Sequence, residues 1–332
     1  MRTALAMTLA LVAALPDGAV MAQERTFPVA SAAVLDDRYP RQAQQWPGGV
    51  TSLADIVYST IPGYRPLIVD LYLPPREAGP KPLILYIHGG GWVGGHTRHA
   101  GALGNFPATL AALAAEGFVV ASLEYRLARE ASFPAQVQDT RAALRFLRGQ
   151  AAHYGIDPAR VGLWGGSAGG HLSALTALSC GDASLDIADA ANAPGSECVQ
   201  AAAIWYGVFD FAALAAARPN SADADAAALL GCNGPCQAAA YRRASPLTYL
   251  DASDPPFLLI HGEGDRVVPV QQSHLAEAAM RAAGVPVTAS YIPAVDHSFI
   301  GADAAMTTAA TLQATNATFD FFHRVLDRPE AD

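Results

Sequence analysis

At 332 residues, with 52% hydrophobic and only 15% charged side chains, the chain is long and apolar enough to bury a sizeable core, which excludes a disordered polymer. A formal net charge of −9 argues against nucleic acid or an anionic membrane surface as a partner. No period of roughly 20–50 residues recurs, so a repeat architecture is excluded too.

The first stretch reads as a targeting segment. Arg2 supplies a positive start, Ala4 to Leu15 form an apolar run, and Val20-Met21-Ala22 put small residues at a cleavage position. Residues 1–22 are therefore expected to be a signal peptide. Residues 23–332 would form a single domain, in a secreted or periplasmic protein. That run is too short to span a bilayer and no later run is longer, so no membrane span is predicted. An oxidising compartment also suits the cysteines. Cys180, Cys198, Cys232 and Cys236 form an even set without metal-like spacing, and the sequence-local pairing is Cys180–Cys198 with Cys232–Cys236.

After a polar lead-in, Ala54 to Tyr58 and Leu67 to Leu73 read as paired strands about a Pro-Gly turn. Pro82 to Ile87 is a continuous apolar run, as expected of a strand covered on both faces, and it ends in His88-Gly89-Gly90-Gly91-Trp92. A helix over Phe106 to Glu116 leads to a strand over Phe118 to Leu123, and Pro134 opens the next helix. Asp157-Pro158 predicts a turn, followed by a strand over Arg160 to Trp164 and a helix over His171 to Leu178. Further strands are read at Val199 to Tyr206, Pro256 to Ile260 and Val287 to Ile292, with helices over Val270 to Ala283 and Ala304 to Leu326. Strands alternating with helices predict an α/β fold with a mostly parallel sheet and helices on both faces. Residues 211–250 form no simple crossover. They are expected to be a small lid-like excursion over the C-terminal edge of the sheet, where ligands of such folds bind; a surface insertion without consequence is the alternative.

Gly165-Gly166-Ser167-Ala168-Gly169 fits G-x-S-x-G between a buried strand and a helix. Such a turn is so tight that both flanking positions must lack side chains, and it holds the serine oxygen exposed at a helix N-terminus. Ser167 is thus the candidate nucleophile. A serine hydroxyl needs a base, and the base an orienting acid, following the serine in the order Asp/Glu then His. Of the histidines placed late enough, His274 and His323 lie inside helices. His297 sits in a loop after a strand and is the candidate base. Asp265, after the preceding strand, is the candidate acid, with Glu263 and Asp210 as rivals and Asp296 expected to be solvated. The backbone N–H of Ala168 and the glycine run after His88 are candidate donors to an oxyanion. That run lacks the Lys-Ser/Thr end of a phosphate loop and the spacing of a dinucleotide fingerprint, so no nucleotide cofactor is implied. Nor does any ligand-spaced cluster imply a metal.

Together, His88-Gly89-Gly90-Gly91-Trp92, Gly165-Gly166-Ser167-Ala168-Gly169-Gly170-His171 and His261-Gly262-Glu263-Gly264-Asp265 resemble the α/β-hydrolase esterases with an H-G-G-G motif. Those are the hormone-sensitive-lipase-like carboxylesterases and, closer, the bacterial feruloyl-esterase-like group. Phe133-Pro134-Ala135-Gln136, Tyr154-Gly155-Ile156-Asp157-Pro158 and Ala244-Ser245-Pro246-Leu247 add to the closer match, which covers roughly residues 50–325. The resemblance implies an α/β-hydrolase fold, a Ser167–Asp265–His297 triad, and oxyanion donors at Gly90, Gly91 and Ala168. It also implies hydrolysis of small-molecule esters through an acyl-enzyme. Two departures stand out: Gly166 replaces the Asp that many lipase-like members carry before the serine, and their long N-terminal helical cap is missing. Alternatives are a serine peptidase or acyl-peptide hydrolase of the same fold, and a non-catalytic binding protein. Trp92, Trp205 and Tyr206 are expected to narrow the acyl side towards short-chain or aryl esters. Oligomeric state is not legible.

Overall fold

The computed structural model describes residues 43–75, 79–186, 195–217, 224–233 and 236–327. The proposed signal peptide lies outside the described residues. Among the described residues one sheet of nine strands runs through the molecule, in the order β1-β2-β3-β5-β4-β6-β7-β8-β9. The strands are β1 (Ala43–Gln45), β2 (Thr51–Ser59), β3 (Leu67–Leu73), β4 (Lys81–Ile87), β5 (Val119–Leu123), β6 (Ile156–Gly166), β7 (Ala201–Trp205), β8 (Phe257–Gly262) and β9 (Val287–Ile292). The first three pair antiparallel, and β3 pairs antiparallel with β5. From β5 through β4, β6, β7 and β8 to β9 every pairing is parallel.

The inner parallel strands, β4 to β8, are buried on both faces, and their alternation sorts side chains into two cores. On one face Leu83, Leu85 and Ile87 of β4 and Ile204 of β7 meet α2 (Ala135–Gly149), α4 (Ala168–Leu178) and α8 (Gln271–Ala283). On the other, Ile84, Tyr86, Trp164 and Trp205 meet α1 (Phe106–Ala115) and α9 (Ala304–Leu326). The helix ends follow local chemistry. Asn105 accepts from the Ala108 N–H to cap α1, Asp303 accepts from Met306 to cap α9, and Gly284 ends α8 in a left-handed conformation.

Three local readings change. A short helix, α3 (Ala151–Tyr154), and strand β1 were not anticipated. The turn expected at Asp157-Pro158 lies inside β6 as an irregularity. Pairing jumps from Lys81↔Ile156 to Leu83↔Val161, and Asp157 closes the local bend by accepting from Ala159 N and Arg160 Nε. The excursion between β7 and β8 holds α5 (Phe211–Ala217), α6 (Ala224–Leu230) and α7 (Ala238–Ala244). Among the described residues no helix is long and apolar enough to cross a membrane.

The chain reverses its path across the sheet at β4, whose neighbours β5 and β6 lie on opposite sides. That switch point brings the glycine run after β4 beside the turn after β6, with the loops after β7, β8 and β9 next to them.

Candidate active site

At the end of β6 the chain enters α4 through Ser167, held at φ 57°, ψ −123°. A non-glycine residue rarely adopts this conformation, and it is maintained by its surroundings. The Ser167 N–H donates to Trp205 O at 2.9 Å, and Ser167 O accepts from the His171 N–H at 2.9 Å. The glycines on either side are required by close approach. A Cβ on Gly169 would stand 2.0 Å from Ile87 O, and one on Gly165 2.4 Å from Gly169 O. The turn and the end of β4 therefore touch backbone to backbone.

His297 lies in a short 3-10 turn after β9 and reaches over to the serine, Nε2 lying 3.0 Å from Ser167 Oγ. Its Nδ1 is 2.7 Å from Oδ2 of Asp265, in the loop after β8. Because Nδ1 faces a carboxylate it carries the proton, which leaves Nε2 free to accept from the hydroxyl. The Asp265 side chain is fully buried. Its Oδ1 accepts from Val267 N and Val268 N at 2.8 and 2.7 Å. Burial alone would raise this carboxyl, but hydrogen bonds from His261 and His297 hold it well below the usual carboxylate range.

None of the rival acids hydrogen bonds the His297 ring among the described residues. Asp210 caps α5 by accepting from Ala213 N, and Glu263 is exposed. Asp296, expected to be solvated, pairs with Arg266 and accepts from the His297 N–H at 2.7 Å, fixing the turn that carries the imidazole.

Two neighbours of the triad escaped sequence reasoning. His261 is fully buried, with Nε2 3.1 Å from Asp265 Oδ2 and 2.8 Å from Val268 O, and Nδ1 2.7 Å from Ser273 Oγ. The carboxylate is thus contacted by two imidazoles and two amides. The spacing of a histidine four residues before the acid, across Gly262 and Gly264, is the signal for it. The second neighbour is His171, on the first turn of α4. Trp92 Nε1 donates to its Nδ1 at 3.0 Å, and its Nε2 faces Ala244 O at 2.8 Å. The ring is therefore neutral and protonated on Nε2, and burial pushes its pKa down to about 4.

The glycine run after β4 makes a tight bend. Gly90 and Gly91 sit at φ 111° and 61°, followed by Trp92 at φ 61°, and Gly90 O accepts from Val93 N and Gly94 N. His88 anchors the start of the bend. Its ring stacks on Tyr125 at 4.3 Å, its Nδ1 donates to Gly89 O, and burial lowers its pKa to about 4. A Cβ on Gly89 would lie 2.8 Å from Gly166 O, so the bend is pressed against the serine turn, at which the Ala168 N–H opens α4.

The excursion closes over this bend. Phe211 packs on Trp92 at 5.6 Å between ring centroids, Leu229 O accepts from Phe133 N, and a Cβ on Gly91 would meet the Asp225 carboxylate. Tyr206 packs edge-on against His297 at 4.7 Å. Trp205 does not join it. It shares the face of Ala201 and Ala203, packs on Trp164 and Phe299, and donates to Thr318 of α9. Cys180 is joined to Cys198, and Cys232 to Cys236.

A serine on a strand–helix turn, met by loops from the next strands of a mostly parallel sheet, defines an α/β-hydrolase. The family model described as BD-FAE matches residues 69–280, and the chain belongs to that family. Esterase LipQ of Mycobacterium tuberculosis is 32% identical over 255 residues, covering 74% of this chain and 57% of the relative. The probable carboxylic ester hydrolase LipM of the same organism is 32% identical, covering 67% and 50%. The chain thus spans about half the length of these curated relatives. Among solved structures, a truncated carbohydrate esterase from gut microbiota superposes with a TM-score of 0.70 at 28% identity, covering 83% of this chain and 96% of that one. A thermophilic esterase of Thermogutta terrifontis shares the fold with a TM-score of 0.67 at 24% identity, covering 84% and 94%.

Proposed function

We propose that this chain is a serine esterase that hydrolyses small carboxylic esters through an acyl-enzyme. The observation that carries this reading is the continuous hydrogen-bonded line Ser167 Oγ–His297–Asp265, at 3.0 and 2.7 Å. His297 Nε2 takes the hydroxyl proton as Oγ bonds to the ester carbonyl carbon, and Asp265 stabilises the imidazolium that forms. The carbonyl oxygen becomes an oxyanion, received by the N–H groups of Gly90, Gly91 and Ala168. As the tetrahedral intermediate collapses, His297 hands its proton to the departing alkoxide, leaving an acyl group on Ser167. Water then repeats the sequence and releases the acid. The names of the esterase relatives favour an ester over an amide substrate.

The finer reading is a preference for short acyl or aryl groups. Its support is Tyr206, whose ring packs edge-on against His297 beside the serine and offers an aromatic face there. Export of the chain is the companion proposal, supported by two disulfides of the kind that persist in oxidising compartments. Periplasmic or secreted protein should begin near Gln23 on N-terminal sequencing; a retained Met1 speaks against export. The function itself is tested by comparing p-nitrophenyl acetate, butyrate and decanoate with a matched anilide, and by fluorophosphonate labelling. Ester turnover with the label on Ser167 is expected. Faster anilide cleavage means a peptidase, a decanoate optimum refutes the short-acyl preference, and absence of both turnover and label means a non-catalytic protein.

A further inference from the structure

The serine turn, the oxyanion bend and the excursion come from chain segments far apart, and one residue links all three, by its backbone N–H to Ser167 O and by its side chain to the other two. His171 lies four residues after Ser167 on α4, is fully buried, and has both ring nitrogens hydrogen bonded. On one side is the indole N–H of Trp92, the residue directly after Gly91. On the other is the carbonyl of Ala244, the last residue of α7 in the excursion. Its ring also meets Trp92 at 5.3 Å and Phe211 of α5 at 5.1 Å, both edge-on.

We propose that His171 is a positioning residue that holds the oxyanion bend in register with Ser167 and ties that register to the seating of the excursion; this rests on the esterase reading above. Three facts carry it. The bend needs holding, since Gly90, Gly91 and Trp92 run consecutively at positive φ and the last is not glycine. Trp92 Nε1 is deeply buried and His171 Nδ1 is the partner that satisfies it, so releasing the bond strands a polar group as well as freeing the bend. Finally, His171 rides on the same first turn of α4 as the Ala168 N–H. Donors from two loops are thereby referred to one rigid helix, and oxyanion donors act only while aimed at where charge develops. A misplacement of about 1 Å at such a site costs on the order of 100-fold in rate.

The test compares His171→Leu, His171→Gln and Trp92→Phe with the wild type. Steady-state hydrolysis of p-nitrophenyl acetate, inhibition by an aryl trifluoromethyl ketone and thermal melting are measured on each. Leucine fills the space without hydrogen bonding. Glutamine offers an oxygen to Trp92 and an N–H to Ala244. Phenylalanine removes the indole donor together with one ring of the side chain. His171→Leu should lower kcat roughly 10- to 100-fold with KM changed less than about threefold, and weaken the ketone by a similar factor. Trp92→Phe should show the same split, and His171→Gln should recover most of the lost kcat. A merely structural histidine would lower the melting temperature while leaving kcat and ketone affinity of the folded enzyme unchanged, which overturns the proposal. Should His171→Leu fail to fold, unchanged kcat in Trp92→Phe overturns it equally. Failure of the wild type to turn over the ester would instead strike the esterase reading, and is seen before any variant is made.

Discussion

The neutral state of His171 has a thermodynamic consequence measurable without any substrate. In the folded protein its pKa is pushed down to about 4 by burial, the bond to Ala244 O offsetting only part of this. In the unfolded chain the ring titrates near its ordinary 6.5. Between those values the unfolded chain binds a proton that the folded chain refuses. Stability from this group is therefore full above pH 6.5, falls as pH drops through the window, and levels off below about pH 4. At pH 4.5 the loss amounts to roughly 2 to 3 kcal/mol. Other groups titrate in the same range. His88 acts in the same direction, and Asp254, raised to about 6 by burial, acts in the opposite one. A difference between two proteins cancels both. Urea unfolding of wild type and His171→Gln, followed by tryptophan fluorescence with disulfides intact, should be run at pH 7.5 and pH 4.5. Whatever gap separates them at pH 7.5 should move by roughly 2 to 3 kcal/mol in favour of the variant at pH 4.5. A gap that stays constant to within about 0.5 kcal/mol would mean that the folded ring accepts its second proton, and the assignment of Nδ1 as acceptor would be wrong.

Ser167→Ala should lower kcat for p-nitrophenyl acetate by about 10⁶-fold and Asp265→Asn by about 10⁴-fold, with native circular dichroism in both. Mild loss in Asp265→Asn alongside severe loss in Asp210→Asn would reassign the acid. Gly169→Ala pushes a methyl to 2.0 Å from Ile87 O, backbone against backbone, so it should cost several kcal/mol or prevent soluble expression; near-normal melting would disprove that closeness. The Cys180–Cys198 bridge spans 18 residues and Cys232–Cys236 spans 4, so by loop entropy removing the first should cost about 3 kcal/mol and the second about 2. Denaturant titration of the two double-serine variants checks that order.

What could be read from the sequence was whatever short-range chemistry dictates. The apolar run at Pro82–Ile87 can only be a strand between layers, and the G-x-S-x-G turn carries its geometry in its glycines. The order of serine, acid and histidine then picked Ser167, Asp265 and His297, which the fold brings into one hydrogen-bonded line. The misreading has a physical origin. Trp205 was assigned to the site because it ends a strand, yet strand parity sends it to the face of Ala201 and Ala203, towards α9. Asp296 is solvent-accessible as expected, and its ion pair with Arg266, 30 residues away in the chain, was not legible.

His171 shows why a buried polar side chain resists sequence reading. Its partners are Trp92 and Ala244, 79 and 73 residues away. No local pattern distinguishes it from a histidine that merely fills space on a helix with little charge. Yet burial itself narrows the options once the fold is known. A ring with no access to water and no carboxylate beside it is neutral, a neutral ring has one donor and one acceptor, and each needs a matching partner at a defined position. In this chain those positions are the residue after the oxyanion glycines and the end of the excursion. The requirement to satisfy one buried imidazole is therefore also what fixes how the excursion is seated relative to the serine.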